Sequence, residues 1–367
     1  MKIPLLLLFT AAACAPKVDT DSASGSGGSS GAGQQHLLFT GVADDYSVGN
    51  LNSLALDDWA LSDSLTATTG DAFVTADEGT AIQINAYGYD AVRLYEIGDW
   101  AAPRVEFSVG SGANPHDAAI CAGSLFVSLY QEPALAIFDP ASGLRTGAVD
   151  LSAYDDGDGT PEASDLIEIE GTLYLALHQL AQDDGWVADG GRLLAIDCAS
   201  QTVTGDWAVG PNPTLARRSD TQLLIRTGVY YDRDYNLLLD GGLATFDLAT
   251  QSLSAPHLTE VAAGYNIDEA VAVDDQALLL LSDEALTYRI GCLDLSSGAL
   301  SIAETTDAYL FTAVTNDRGE AWIGARVSYA NPEASGGLLA YDVATCTSLT
   351  GDDWIRPTLS PYSLSFY

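Results

Sequence analysis

The sequence predicts an all-β fold, a ring of seven four-stranded blades, and three observations carry that prediction. One nine-residue pattern recurs along the chain, its copies lie on average about 48 residues apart, and the segments between them alternate apolar and polar side chains. Five copies align without gaps: LAIFDPASG ending at Gly143, LLAIDCASQ ending at Gln201, LATFDLATQ ending at Gln251, IGCLDLSSG ending at Gly298 and LLAYDVATC ending at Cys346. Each reads as a buried strand closing on an aspartate and a small polar turn, where the carboxylate accepts backbone N–H groups. Two weaker copies precede them, VRLYEIGDW with Glu96 in the aspartate slot and SLALDDWAL with Asp57.

From Asp57 to Asp342 the successive spacings are 39, 43, 58, 50, 47 and 48 residues. Periods of this size belong to propeller blades or to helical arrays. Alternation, as in Ser124-Leu-Phe-Val-Ser-Leu-Tyr130 and Thr172-Leu-Tyr-Leu-Ala-Leu177, with frequent Gly and Pro, excludes helices. Seven copies therefore predict a seven-bladed β-propeller. In each blade an inner strand starts near a proline or aspartate (Asn114-Pro115-His116-Asp117, Asn212-Pro213), and a second strand, the nine-residue segment and an outer strand follow. The N-terminal blade lacks an inner strand, since His36-Leu-Leu-Phe39 already reads as the second. The C-terminal Ser360-Pro-Tyr-Ser-Leu-Ser-Phe-Tyr367 reads as an inner strand with no blade after it. Pairing the two closes the ring and removes the exposed edges.

The nine-residue segments and the Asn-Pro-x-Asp start resemble the YVTN-type seven-bladed propellers of bacterial exported proteins over nearly all of residues 35–367. The resemblance implies architecture rather than activity, because that fold carries lactonases, quinoprotein subunits and plain binding proteins. No motif matches the catalytic residues of the lactonases, so none of those residues carries over.

Residues 1–13 read as a signal peptide: Met1-Lys2, an apolar run from Ile3 to Ala13, then Cys14. The run is too short to span a bilayer. Cys14 after Ala11-Ala12-Ala13 resembles the lipobox of bacterial lipoproteins, in which the thiol is acylated and becomes the new N-terminus. Ala11 stands where that family usually has leucine, and the alternative is an ordinary secreted protein cut nearby. Ala15 after the cysteine favours, by the same resemblance, the outer membrane. Residues 14–34 form a Gly/Ser-rich tether that cannot bury a core, with a reach of about 25 Å. Residues 35–367 form the propeller, expected to act as a monomer that meets the membrane only through its lipid.

Net charge is −37 and the pI about 4.1, so nucleic acid is excluded as a partner and the domain is repelled by anionic lipid. Lysine occurs only at Lys2 and Lys17, which excludes Schiff-base chemistry and P-loop phosphate binding in the folded part. Four cysteines remain beyond Cys14, none in a C-x-x-C pair and none with histidine at zinc spacing. On the blade plan Cys121 follows an inner strand and Cys198 lies in a third-to-fourth-strand turn of the next blade, while Cys292 and Cys346 fall on adjacent blades near the same face. Of the three possible pairings this favours Cys121–Cys198 and Cys292–Cys346, with four buried thiols as the alternative.

Excess length in a repeat marks loops that often build a binding face. The longest spacing holds two insertions, 154–165 and 182–190, and the next longest holds a third, 230–240. Outer-to-inner and second-to-third connections emerge on one face of a propeller, so all three loops share it, beside the mouth where His116 and Asp117 begin an inner strand. Asp155, Asp156, Asp158, Glu162 and Asp165 crowd the first loop with the oxygens a hard cation such as calcium takes, though not in EF-hand order. A solvated acidic turn is the alternative. Trp186, Tyr230 and Tyr231 with Arg233 offer stacking surface to a sugar, peptide or aromatic ligand, or simply pack the loops together. His116 is a candidate general base, but Asp117 points to the opposite face of the strand. Trp59, Trp100, Trp207 and Trp354 occupy comparable outer-strand positions and read as packing. The sequence thus favours a binding module that presents a protein, peptide or carbohydrate site on its loop-rich face. The alternative is a metal-assisted, lactonase-like hydrolase at the channel mouth.

Overall fold

The computed structural model describes residues 36–367 apart from 183, 184, 189, 231, 233–235 and 329–335. Cys14, the signal, the tether, Tyr231 and Arg233 thus lie outside the described residues. The strands form seven antiparallel sheets, each built around four strands. Blades two to seven begin with the inner strands Ala72–Asp77, Pro115–Cys121, Ala163–Ile169, Thr214–Ser219, Asn266–Val273 and Tyr309–Thr315. The inner strand of blade one is Ser360–Phe366, paired antiparallel with His36–Val42, as the unmatched ends of the sequence predict.

Burial explains the two sequence textures. Second strands such as Ser124–Leu129 and Gln276–Ser282 are covered on both faces by neighbouring blades, so they read as continuous apolar runs. Outer strands such as Thr202–Ala208 have one wet face and alternate exposed with half-buried residues. The core is therefore a succession of inter-blade layers, for example Ala119, Phe126, Leu135 and Ile137 of blade three against Leu166, Leu173 and Leu194 of blade four.

The conserved plan of the repeat lies in its turn. Asp139, Asp197, Asp247, Asp294 and Asp342 each accept backbone N–H groups of the turn through Oδ1, at 2.7–3.2 Å. Hydroxyl bonds from Ser200, Ser296 and Thr345, joined by these N–H bonds, hold Asp197, Asp294 and Asp342 below the ordinary carboxylate range, and the Thr250 N–H leads at Asp247. Blade five departs from the plan: its outer strand is only Ser252–Leu253, and Leu258–Thr259 pairs with Gly242–Asp247 beyond it. A single helical turn, Glu260–Ala263, follows, capped by Thr259 Oγ1 and ended by Gly264 in the left-handed region. It sets Glu260 inside the ring.

Both disulfides join adjacent blades as the blade plan predicts. Cys121 pairs with Cys198 and Cys292 with Cys346, with Cα–Cα distances of 5.8 and 6.1 Å. Carboxylates and hydroxyls staple neighbouring inner strands. The N–H of Leu166 donates to Asp117 Oδ2 at 2.6 Å, that of Leu215 to Asp165 Oδ2 at 2.8 Å, and that of Val74 to Ser363 Oγ at 3.1 Å. The tryptophans pack as expected: Trp207 on Phe246, Trp100 against Tyr95 and Tyr367, Trp59 edge-on to Trp322, and Trp354 against the core of blades six and seven.

Candidate binding site at the channel mouth

Bulges near the start of several inner strands aim side chains into the central channel. The pairing register slips between Pro115 and Asp117, between Ile267 and Glu269, between Leu310 and Thr312, and opposite Pro361 and Ser363. The residues left over are His116, Asp268, Phe311 and Tyr362. A bulge of this kind re-aims a side chain that would otherwise follow the alternation of the strand.

Together with their neighbours these residues make a closed circuit around the axis. Phe311 of blade seven stacks on Tyr362 of blade one at 4.8 Å, Tyr362 meets Phe73 of blade two at 5.4 Å, and Phe73 meets His116 of blade three at 5.9 Å. His116 stacks on Tyr130 at 4.1 Å, and the Tyr130 hydroxyl lies 3.1 Å from His178 Nδ1 of blade four. The other half is charged. Arg226 of blade five lies over the Tyr230 ring at 5.7 Å, and the Tyr230 hydroxyl donates to the carbonyl of Asp268 of blade six at 3.3 Å. Tyr309, 5.3 Å from Phe311, closes the circuit. Arg326 braces the aromatic half, its guanidinium 4.9 Å from the Tyr46 ring and 5.1 Å from Tyr362.

Burial governs the electrostatics. It lowers His116 to about 3 and holds His178 well below the ordinary range, the latter helped by His116 and Arg226, so both imidazoles are neutral. Burial pushes the carboxyls of Asp268 and Glu269 up to about 8. The same effect raises Glu260, although its carboxylate accepts from the N–H groups of Gly241 and Ile267. Several buried atoms find no partner in the protein: Arg226 Nε, Asp268 Oδ2 and Glu269 Oε2. Buried polar groups are almost always satisfied, so a cluster of exceptions marks a channel that takes in water or a ligand.

The three long loops meet over this mouth, as their spacing predicts. Gln179 Nε2 donates to the Tyr154 carbonyl at 2.8 Å, and the N–H of Gln182 to Asp158 Oδ2 at 2.8 Å. Trp186 and Ala188 of the second loop and Leu238 of the third pack with Leu180, Val229 and Tyr130. Trp186 thus packs beside the mouth. Of the acidic residues, Asp155, Asp156 and Asp158 lie together, one oxygen of each within 4.8 Å of the others. Asp155 Oδ1 already accepts from Gly157 and Gly159, and Asp158 Oδ1 from Thr160. Glu162 turns inward instead. It accepts from Leu180 N–H, Thr160 and Gln182, and burial pushes it up to about 7. Asp165 and Asp117 serve the inter-blade staples.

Tyr130, His178, Arg226, Asp268 and Glu269 are members of the site that the sequence reading passed over. Arg226 and His178 close apolar strands, Leu-Leu-Ile-Arg226 and Leu-Ala-Leu-His178, and a charged or polar residue ending a buried run is the signal that marks them. Asn266-Ile-Asp-Glu269 falls where Asn-Pro-His-Asp stands in blade three. At the opposite end the channel opens into a cavity of about 880 Å³. Inner-strand turns supply Asp77, Glu78, Glu168 and Glu170 there, beside Arg217 and Arg218. Those arginines pair with Asp220 and Asp275.

No protein-family model matches the chain, and no curated protein is similar to it in sequence. Solved structures are similar in fold. The periplasmic gluconolactonase PpgL of Pseudomonas aeruginosa superposes with a TM-score of 0.62 at 12% identity, covering 91% of this chain and 99% of that one. A proposed 6-phosphogluconolactonase of Bacteroides uniformis gives 0.60 at 10% identity, covering 91% and 99%. Another from Bacteroides fragilis gives 0.59 at 12% identity, covering 93% and 100%. At such identities the likeness extends to fold alone, and the chain is a seven-bladed β-propeller.

Proposed function

We propose that this chain is a lipid-anchored binding protein of the bacterial envelope, probing its surroundings from a tether on Cys14 and taking a ligand into the channel mouth under its three long loops. One observation carries the reading: a ring of buried aromatic and charged side chains, with unpartnered atoms on Arg226, Asp268 and Glu269, lies beneath a loop-built rim. Ligand sites combine apolar walls with a few convergent polar groups in this way. The sequence of residues 1–14 supports the address, and the periplasmic location of the gluconolactonase of similar fold is in keeping with it. A panel of sugars, sugar acids, amines and short peptides, followed by thermal unfolding and Trp186-sensitive fluorescence, tests the reading. A ligand that raises the midpoint in the wild type and not in Arg226→Met or Tyr230→Ala supports it. Stabilisation that survives both substitutions places binding elsewhere.

A metal-assisted hydrolase is the second reading, favoured by the proximity of Asp155, Asp156 and Asp158. Turnover of a lactone panel that needs calcium and is lost in Asp156→Ala would establish it. The engagement of Asp155 and Asp158 by backbone N–H groups weighs against it.

A further inference from the structure

Among the described residues, the charged half of the mouth holds fewer cations than carboxyls. Asp268 and Glu269 stand side by side at the bulge of the sixth inner strand, 8% and 2% exposed. Asp268 Oδ1 accepts from Ser282 Oγ at 2.9 Å and Glu269 Oε1 from the Ala270 N–H at 2.8 Å, while Oδ2 and Oε2 accept nothing. Arg226 is the cation that faces them, and it is shared with Glu260. Asp165 adds a further carboxylate beside Glu269, and both histidines nearby are neutral. Among the described residues, one guanidinium thus serves four carboxyls. The rest of the wall is aromatic: Tyr230, bonded to the Asp268 backbone, and Tyr309, which lies against Tyr288 and Phe311.

We infer that the ligand is a small organic cation, an ammonium compound seated between the Asp268 and Glu269 carboxylates and the faces of Tyr230 and Tyr309. The inference rests on reading the mouth as a binding site and names what it binds. Desolvated carboxylates attract any cation, and ring faces add a preference for an alkylammonium over a hydrated one. A metal ion fits poorly. Among the described residues, three ligating groups come close enough together only at Asp155, Asp156 and Asp158, away from this cluster. Burial holds Asp268 and Glu269 largely protonated near neutral pH, so an entering ammonium displaces protons from them. Arg226, Glu260, Asp165, Tyr230 and Tyr309 are the other titratable groups that face the pair.

Calorimetric titration of the full chain with tetramethylammonium, n-butylammonium, butyrate and butanol tests this, run at pH 7 and 8.5 in two buffers of different ionisation heat. The ammonium ions should bind at least tenfold tighter than butanol and butyrate, release protons at pH 7 and bind tighter at pH 8.5. The Asp268→Asn/Glu269→Gln double variant should lose tenfold or more in affinity for them. Butyrate binding tighter than n-butylammonium, or ammonium binding indifferent to the double variant, overturns the inference. If ammonium ions fail while another panel compound binds in an Arg226-dependent way, the ligand class falls and the binding site stands. If no compound of either set binds at the mouth, both fall.

Discussion

Gly143 and Gln251 hold the same place in two copies of the repeat, the residue that ends the turn, and both are left-handed, with φ of 70° and 53°. A side chain in that conformation costs about 1–2 kcal/mol, which glycine avoids at the expense of chain entropy. At Gly143 a methyl group would also stand 2.6 Å from the Phe107 ring. Gly143→Ala is therefore expected to destabilise by about 1–3 kcal/mol, and Gln251→Gly to be neutral or to stabilise by up to about 1 kcal/mol. Urea unfolding checks both, and a neutral Gly143→Ala would refute this account of the turn. The turn was legible in sequence because the aspartate, the small residues and the glycine recur in order. Asp268 and Arg226 were not. Their roles depend on a bulge and on neighbours distant in sequence, and no local pattern records either.

Among the elements, the loops show what spacing alone can and cannot tell. Their shared face followed from where each insertion falls in the blade, and the contacts of Gln182 with Asp158 and Glu162 bear this out. The fate of the individual acids did not follow. Glu162 and Asp165 read as metal candidates beside Asp158, yet one anchors the second loop from inside and the other ties blade four to blade five. Asp158 is a loop-to-loop tie, so Asp158→Ala should speed amide hydrogen exchange in residues 178–182 while leaving the blades protected. Unchanged exchange there would remove the tie. Millimolar calcium should leave the thermal midpoint where EDTA does, because Asp155 and Asp158 already serve backbone N–H groups. A calcium-induced rise that Asp156→Ala abolishes would show instead that the three carboxylates hold a metal.

The whole molecule is a ring, and a ring has one seam. Ser360–Phe366 closes it, with Tyr362, Leu364 and Phe366 buried and the backbones of His36 and Tyr367 exchanging hydrogen bonds at 2.9 and 3.0 Å. Truncation after Thr358 exposes the edges of blades one and two, so the product should aggregate or lose its cooperative transition in light scattering and circular dichroism. A monomeric, cooperatively folding product would mean that the seam is dispensable. Closure was legible because the N-terminal end carries a blade without its inner strand and the C-terminal end carries an inner strand without a blade. The channel contents were not, because each blade contributes only a few residues and the circuit exists only once the ring is closed. That circuit also weakens the molecule. Folded-state pKa values of about 8 for Asp268 and Glu269 lie above their unfolded values of about 4, so the folded chain holds extra protons between these limits. Stability contributed by the two carboxyls is full below about pH 4 and declines as pH rises to about 8. Groups kept for binding, rather than for folding, commonly lower stability in this way. Thermal unfolding of the wild type and the Asp268→Asn/Glu269→Gln variant at pH 5 and pH 8.5 is the direct test that the mouth is a binding site. The variant should exceed the wild type at pH 8.5 by roughly 2 °C or more, and by less at pH 5, where fewer of the decisive protons have been lost. A variant several degrees less stable at pH 8.5 would show that the pair holds the fold together and contradict the assignment.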